Sequence, residues 1–253
     1  MSFNRLGWAF SLSTAMSLAT LGSAMGQAVA PSKIPAPALK SGDSWVFQVT
    51  TDKGAKGFTS ALRDLSVDRV DSDGMVVGVK VDGAPGDPVE HVVGRDWSIV
   101  RIVNGTEVIS AKPLLFPLSV GETWTVDYTD PKQNGLLAST VYHTRYTVVG
   151  WEDVETPAGK FHALKIEAKG TWQANFAAAN ETAAATVTSG PNATIVMRHG
   201  ASGSHVSSGE NLKVLYYAPE LKQFASEVQD TYDGDGQRTY RESSKLVSYK
   251  LVP

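Results

Sequence analysis

Leu118-Ser119-Val120-Gly121-Glu122-Thr123-Trp124-Thr125-Val126-Asp127-Tyr128 reads as a tight turn feeding a β-strand. Gly121 supplies backbone freedom, and the residues after it are β-branched or aromatic at alternating positions. An earlier stretch, Leu39-Lys40-Ser41-Gly42-Asp43-Ser44-Trp45-Val46-Phe47-Gln48-Val49, has the same order of glycine, acid, hydroxyl and tryptophan. Strand, long strand, turn and strand recur after each, which is compatible with a duplication and also with two unrelated meanders. The fold class expected is all-β, mainly antiparallel, with two consecutive similar meanders forming curved sheets or a half-barrel.

Working outward from the first copy, Ser44 to Thr51, Phe58 to Val70 and Met75 to Val81 read as strands, separated by Gly54 and Gly57 and by Asp71-Ser72-Asp73-Gly74. Met75, Val77, Val79 and Val81 alternate with Val76, Gly78 and Lys80, the pattern of a sheet with one buried face. Val89 to Val93, Trp97 to Val103 and Glu107 to Lys112 are three shorter strands, the last two joined by Asn104-Gly105, a strong hairpin signal. Lys112-Pro113-Leu114-Leu115-Phe116-Pro117 is an apolar, proline-bounded crossing between halves.

The second half predicts strands over Thr123 to Thr129, Ala138 to Trp151 and Lys160 to Trp172, with turns at Asn134-Gly135 and at Thr156-Pro157-Ala158-Gly159. From Gln173 to Gly209 the composition shifts to Ala, Thr, Asn, Gly and Ser. That reads as a long loop or protruding hairpin of weakly specified register. Leu212 to Tyr217, Phe224 to Tyr232 and Arg238 to Leu251 close the meander. The organisation expected is a signal peptide over 1–30, a first half over 31–112, and a second half over 113–253 with a low-complexity insertion at 173–209.

The signal reading rests on Arg5 followed by an uncharged, small-residue-rich apolar run from Trp8 to Leu21. Gly22-Ser23-Ala24 or Ala28-Val29-Ala30 then supplies small residues for cleavage, the cut before Pro31 being preferred. The run is short for the ~20 residues of a membrane span. With no cysteine in the chain, disulfides, thiolate metal sites and a lipid-modified amino terminus are excluded. The expectation is a periplasmic or secreted bacterial protein with no transmembrane span after signal removal. A formal net charge of −3 with scattered basic residues argues against nucleic acid as a partner.

Several pieces of the second half resemble the TapB-like family of exported, β-rich bacterial proteins of unknown function. They are Pro117-Leu118-Ser119-Val120-Gly121-Glu122-Thr123-Trp124, Val148-Val149-Gly150-Trp151-Glu152-Asp153-Val154, Thr156-Pro157-Ala158-Gly159-Lys160-Phe161, Tyr216-Tyr217-Ala218-Pro219-Glu220-Leu221 and Lys245-Leu246-Val247-Ser248-Tyr249. The resemblance spans about residues 115–252. It implies a β-rich fold and export, and it brings no catalytic residues.

Candidate chemistry is sparse. Asp233, Asp235 and Gly236 sit like part of a calcium loop with Glu242 at the closing position, but Thr231 occupies the first ligand position and strands flank it, so a hairpin turn is the ordinary reading. His91, His143, His162, His199 and His205 form no His-x-x-x-His pair, and no metal site or cofactor is expected. His199 and His205 flank Gly200-Ala201-Ser202-Gly203-Ser204, which lacks the spacing of a nucleophile elbow. A hydrolase would need His143 or His162 to meet an acid in a pocket.

Strand aromatics are left as candidates to line a ligand cavity: Trp45, Trp124, Tyr142, Tyr146 and Trp151. Core packing is their ordinary role. The function expected is non-enzymatic: an exported protein holding a small apolar or envelope-derived ligand in a curved sheet. The alternative is a structural or interaction protein presenting the 173–209 hairpin to an envelope protein.

Overall fold

The computed structural model describes residues 33–72, 74–131, 137–177 and 204–253. The signal segment, Asp73, the Asn134-Gly135 turn and most of the 173–209 insertion lie outside the described residues.

Each half opens on the same hydrogen-bonded turn. Gly42 and Gly121 have φ of 93° and 87°, a region that strains any residue with a Cβ. The Gly42 N–H donates to the Val67 carbonyl at 2.8 Å and the Val67 N–H to the Asp43 carbonyl at 2.8 Å. Gly121, Val148 and Glu122 repeat the pair at 2.8 and 2.9 Å. In both turns the acid reaches back three residues: the Lys40 N–H donates to Asp43 Oδ2 at 2.9 Å, and the Ser119 N–H to Glu122 Oε2 at 3.2 Å. The Gly-acid pair thus ties the first strand of each half to the second.

The strands are β1 Ser44–Asp52, β2 Phe58–Val70, β3 Met75–Val81, β4 Val89–Val93, β5 Ile99–Val103 and β6 Thr106–Ala111 in the first half. In the second they are β7 Thr123–Pro131, β8 Leu137–Thr156, β9 Gly159–Phe176, β10 His205–Ala218, β11 Gln223–Asp233 and β12 Arg238–Lys250. Among the described residues there is no α-helix, only 3₁₀ turns at Gly54–Lys56 and Pro219–Leu221. The strands form one sheet in the order β6-β5-β4-β3-β2-β1-β12-β11-β10-β9-β8-β7. All pairs are antiparallel, and the sheet curls into a nearly closed barrel. Its edges β6 and β7 meet where Trp124 Nε1 donates to the Lys112 carbonyl at 2.8 Å.

Three expectations are corrected. The strand expected from Trp97 begins at Ile99, because Trp97 takes a positive φ of 60° and turns its indole to the Lys222 carbonyl. Gln173 to Phe176, expected in the loop, belong to β9, and β10 starts at His205 rather than Leu212. Small side chains cause both: Ala174 is fully buried and Gly209 lies directly beneath Trp172, so β9 and β10 pair continuously from Leu164↔Tyr217 to Phe176↔His205. Likewise β8 runs past Trp151 to Thr156, accommodated by a bulge between Val148 and Gly150.

Side chains from both halves share one core, including Trp45, Val67 and Met75 with Ile166, Leu215 and Leu246. The proline-bounded crossing closes one end of it. Leu114 and Leu118 are fully buried, and Ile34 and Leu118 exchange backbone hydrogen bonds at 2.8 and 2.9 Å. Leu221, on the second 3₁₀ turn, is fully buried at the same end. Trp45 and Trp97 pack edge to face at 5.6 Å and donate to the Leu221 and Lys222 carbonyls at 2.9 and 3.1 Å. Each large side chain buried here contributes roughly 1.5–3 kcal/mol. A smaller cluster of Leu137, Trp172, Ala174 and Phe176 packs toward the opposite end.

Candidate functional site

Inward-facing residues of both halves leave a cavity of about 730 Å³ inside the sheet. Its size falls within the roughly 300–1,000 Å³ usual for small-molecule sites. One part of the wall is apolar: Phe47, Leu65, Val77, Val79, Val93 and Trp97 from the first half, with Leu215 and Phe224 from the second. Another part is charged, with Arg63 on β2, Arg101 on β5, Lys213 on β10 and Glu227 on β11.

The charged side chains lie in phase with apolar ones. Ala61, Arg63, Leu65 and Val67 alternate along β2, as do Lys213, Leu215 and Tyr217 along β10, so the strand period turns each cation inward. Arg63 Nη1 is bonded to Glu242 Oε1 at 3.2 Å, and Tyr240 donates to Glu242 Oε2 at 2.5 Å. Burial and this contact with Glu242 push the Tyr240 hydroxyl up. Burial also raises the Glu227 carboxyl above the usual range; Lys213 and Arg63 oppose the rise and Glu242 adds to it. Burial lifts the Tyr146 hydroxyl to about 12. Arg101 Nε is buried without a hydrogen-bond partner.

The cavity reaches a gap in the sheet. Four consecutive residues of β4, Glu90 to Val93, and three of β5, Ile99 to Arg101, line it. Successive strand residues face opposite sides, so the cavity wraps around these strands to where one residue pair, Val93↔Ile99, joins them. Val92, 68% exposed, gives this mouth an apolar rim.

Of the aromatics expected from sequence, Tyr146 lines the cavity. Trp124 stacks on it at 5.2 Å and 3°, from the β6–β7 seam. Trp45 is buried under the Leu221 turn, Tyr142 stacks on Tyr128 at 6.1 Å beside the smaller cluster, and Trp151 stacks on His162 at 5.0 Å. Trp124 and these three do not line the cavity. Arg63, Arg101, Lys213 and Glu227 were missed by reading aromatics alone. For Arg63 and Lys213, a charge in register with apolar residues is the signal that would have found them.

Both histidines held in reserve for a hydrolase meet an acid. His143 Nδ1 lies 2.5 Å from Asp127 Oδ1, and His162 Nδ1 2.9 Å from Asp153 Oδ1. Their side chains are each 59% exposed, on the outer surface, with His143 bordering a shallow groove beside Thr171 and Glu210. Asp233 accepts from the Asp235 and Gln237 N–H groups at 3.1 and 2.8 Å, so its carboxylate builds the hairpin turn. His199 and Ser202 lie outside the described residues; at the base of that segment His205 stacks on Phe176 at 4.4 Å.

No helix among the described residues is long and apolar enough to cross a membrane. No protein-family model matches the chain, so the TapB-like resemblance rests on the quoted motifs alone. No curated protein matches it. Among solved structures, the chain is similar to a candidate lipoprotein from Parabacteroides distasonis, with 13% identity and a TM-score of 0.43 over 86% of this chain and 99% of the other. A candidate exported protein with a YmcC-like fold from Bacteroides fragilis matches with 15% identity and a TM-score of 0.36, again over 86% and 99%. The hypothetical lipoprotein YmcC from Escherichia coli follows with 9% identity and a TM-score of 0.35 over 83% and 85%.

Proposed function

We propose that this chain is an exported, non-enzymatic binding protein that holds a small apolar or amphiphilic molecule inside its curved sheet. The observation that carries the reading is the cavity of about 730 Å³, walled by both halves and opening between β4 and β5. Export is supported by the apolar run and small-residue cleavage pattern within residues 1–30.

Native mass spectrometry of protein purified gently from its own cell envelope tests the reading. A non-covalent adduct of a few hundred daltons, lost on denaturation, is the expected result. Filling the cavity should abolish it. Val79 lines the cavity and is half-buried, so Val79→Trp should weaken uptake of a fluorescent apolar probe by about tenfold or more, while thermal unfolding shifts little. Bare protein, together with equal probe binding by both forms, would remove the carrier reading and favour an interaction protein.

A further inference from the structure

The cavity carries charged side chains beside its apolar wall. Arg63 is already neutralised by Glu242, whereas neither Arg101 nor Lys213 has an ion pair among the described residues. Lys213 has Glu227 as its electrostatic neighbour. Arg101 stands on β5 opposite Val108 of β6, beside the mouth, with its Nε shut off from water and unbonded. A guanidinium hydrogen left without an acceptor is costly, and a planar fork of donors suits a carboxylate or phosphate above other groups. Apolar side chains line the same cavity: Ile99 on the same strand and Val93 on β4, then Leu65, Val77 and Val79 on the wall.

We infer that the cavity takes a single-chain anionic amphiphile, its carboxylate or phosphate head on Arg101 and its hydrocarbon chain along Leu65, Val77, Val79 and Val93. This deepens the binding reading above and rests on it. Glu90 and His91 flank the mouth on β4, Glu227 and Lys213 line the same cavity from β11 and β10, and Tyr128 on β7 is an electrostatic neighbour of Arg101. Lys213 adds a second positive charge within the same cavity. The apolar rim at Val92 gives the chain a path in from the side of the sheet.

Isothermal titration of the exported protein with four twelve-carbon probes below their micellar concentrations separates the possibilities: dodecanoate, dodecyl phosphate, monolauroylglycerol and dodecyltrimethylammonium. The two anions should bind about tenfold or more tighter than the neutral and cationic probes, as expected for a charge-assisted hydrogen bond. The ratio between the anions tells a fatty acid from a phosphate-headed lipid. Arg101→Gln should weaken the two anions by about tenfold and so erase the anionic preference, and Arg101→Lys should restore part of it. Equal binding of anions and neutral probe by the unaltered protein overturns the head-group assignment and leaves the apolar cavity standing. Retention of the preference by Arg101→Gln also overturns it. Failure of every probe to bind removes the cavity reading itself. The first comparison uses only the unaltered protein, so a variant that does not fold cannot rescue the proposal.

Discussion

Replacing Asp43 with alanine is expected to lower the stability of the folded chain by about 3–5 kcal/mol, the usual consequence of removing one partner from a buried ion pair. Asp43 is fully buried and accepts three bonds: from the Lys40 N–H at 2.9 Å, the Val252 N–H at 2.7 Å and Lys222 Nζ at 2.9 Å. Its loss leaves the Lys222 ammonium, on a side chain only 18% exposed, without its counter-ion. The same residue predicts an acid limb. Burial alone would raise the Asp43 carboxyl, but the bonds from Val252, Lys222 and Lys40 outweigh it and hold the group below its ordinary value of 3.8. The unfolded chain therefore takes up the proton first, so this stabilisation is complete above that value and fades as pH falls through the lower, folded one. Urea titrations from neutral pH to below pH 4 should show the unaltered protein losing stability. Asp43→Asn should show a shallower loss over the same range. An unchanged profile would mean that other carboxylates set the acid limb.

Gly209→Ala is the second large effect. A Cβ at Gly209 would stand 2.0 Å from the Tyr232 carbonyl oxygen and 2.7 Å from the Trp172 ring. Trp172 lies across this bare position and donates to that same carbonyl at 3.1 Å. The backbone oxygen cannot retreat without parting β10 from β11, nor the indole without losing its bond and its place in the smaller cluster. A loss of about 3 kcal/mol is expected, with quenched or shifted Trp172 fluorescence. Gly150 provides the comparison. A Cβ there meets nothing within 4 Å, so Gly150→Ala should stay within about 0.5 kcal/mol. Equal effects at both positions would sink the steric account.

Strands were legible where alternation and turn residues agree. Phe58–Val70, Met75–Val81 and Val89–Val93 have the bounds read from sequence, because glycine, proline and aspartate turns punctuate them and, in the second, Met75, Val77, Val79 and Val81 recur at every other position. The doubled Gly-acid turn was legible for the same local reason. The site was less so. Arg101 acquires its meaning from strands far away in sequence, and no local pattern shows that its Nε will be buried and unbonded. Tryptophan misled in a related way. Trp45 and Trp124 look like ligand platforms, yet each spends its indole N–H on a carbonyl of the protein itself, Leu221 and Lys112.

The order of strands also has a kinetic meaning. Every ladder in the sheet joins strands adjacent along the chain except β1 on β12, which brings Ser44 to Lys250. Most of these hairpins close quickly because their loops are short, the β9–β10 pair being the exception, whereas the β1–β12 ladder joins the two ends of the described sheet. The two meanders can therefore zip independently and dock last. Asp43 stands at the end of the docking ladder, gripping Val252. If docking follows the barrier, Asp43→Asn is expected to hasten unfolding more than it slows refolding; stopped-flow chevrons check this, and an equal slowing of refolding would place the docking ladder in the transition state.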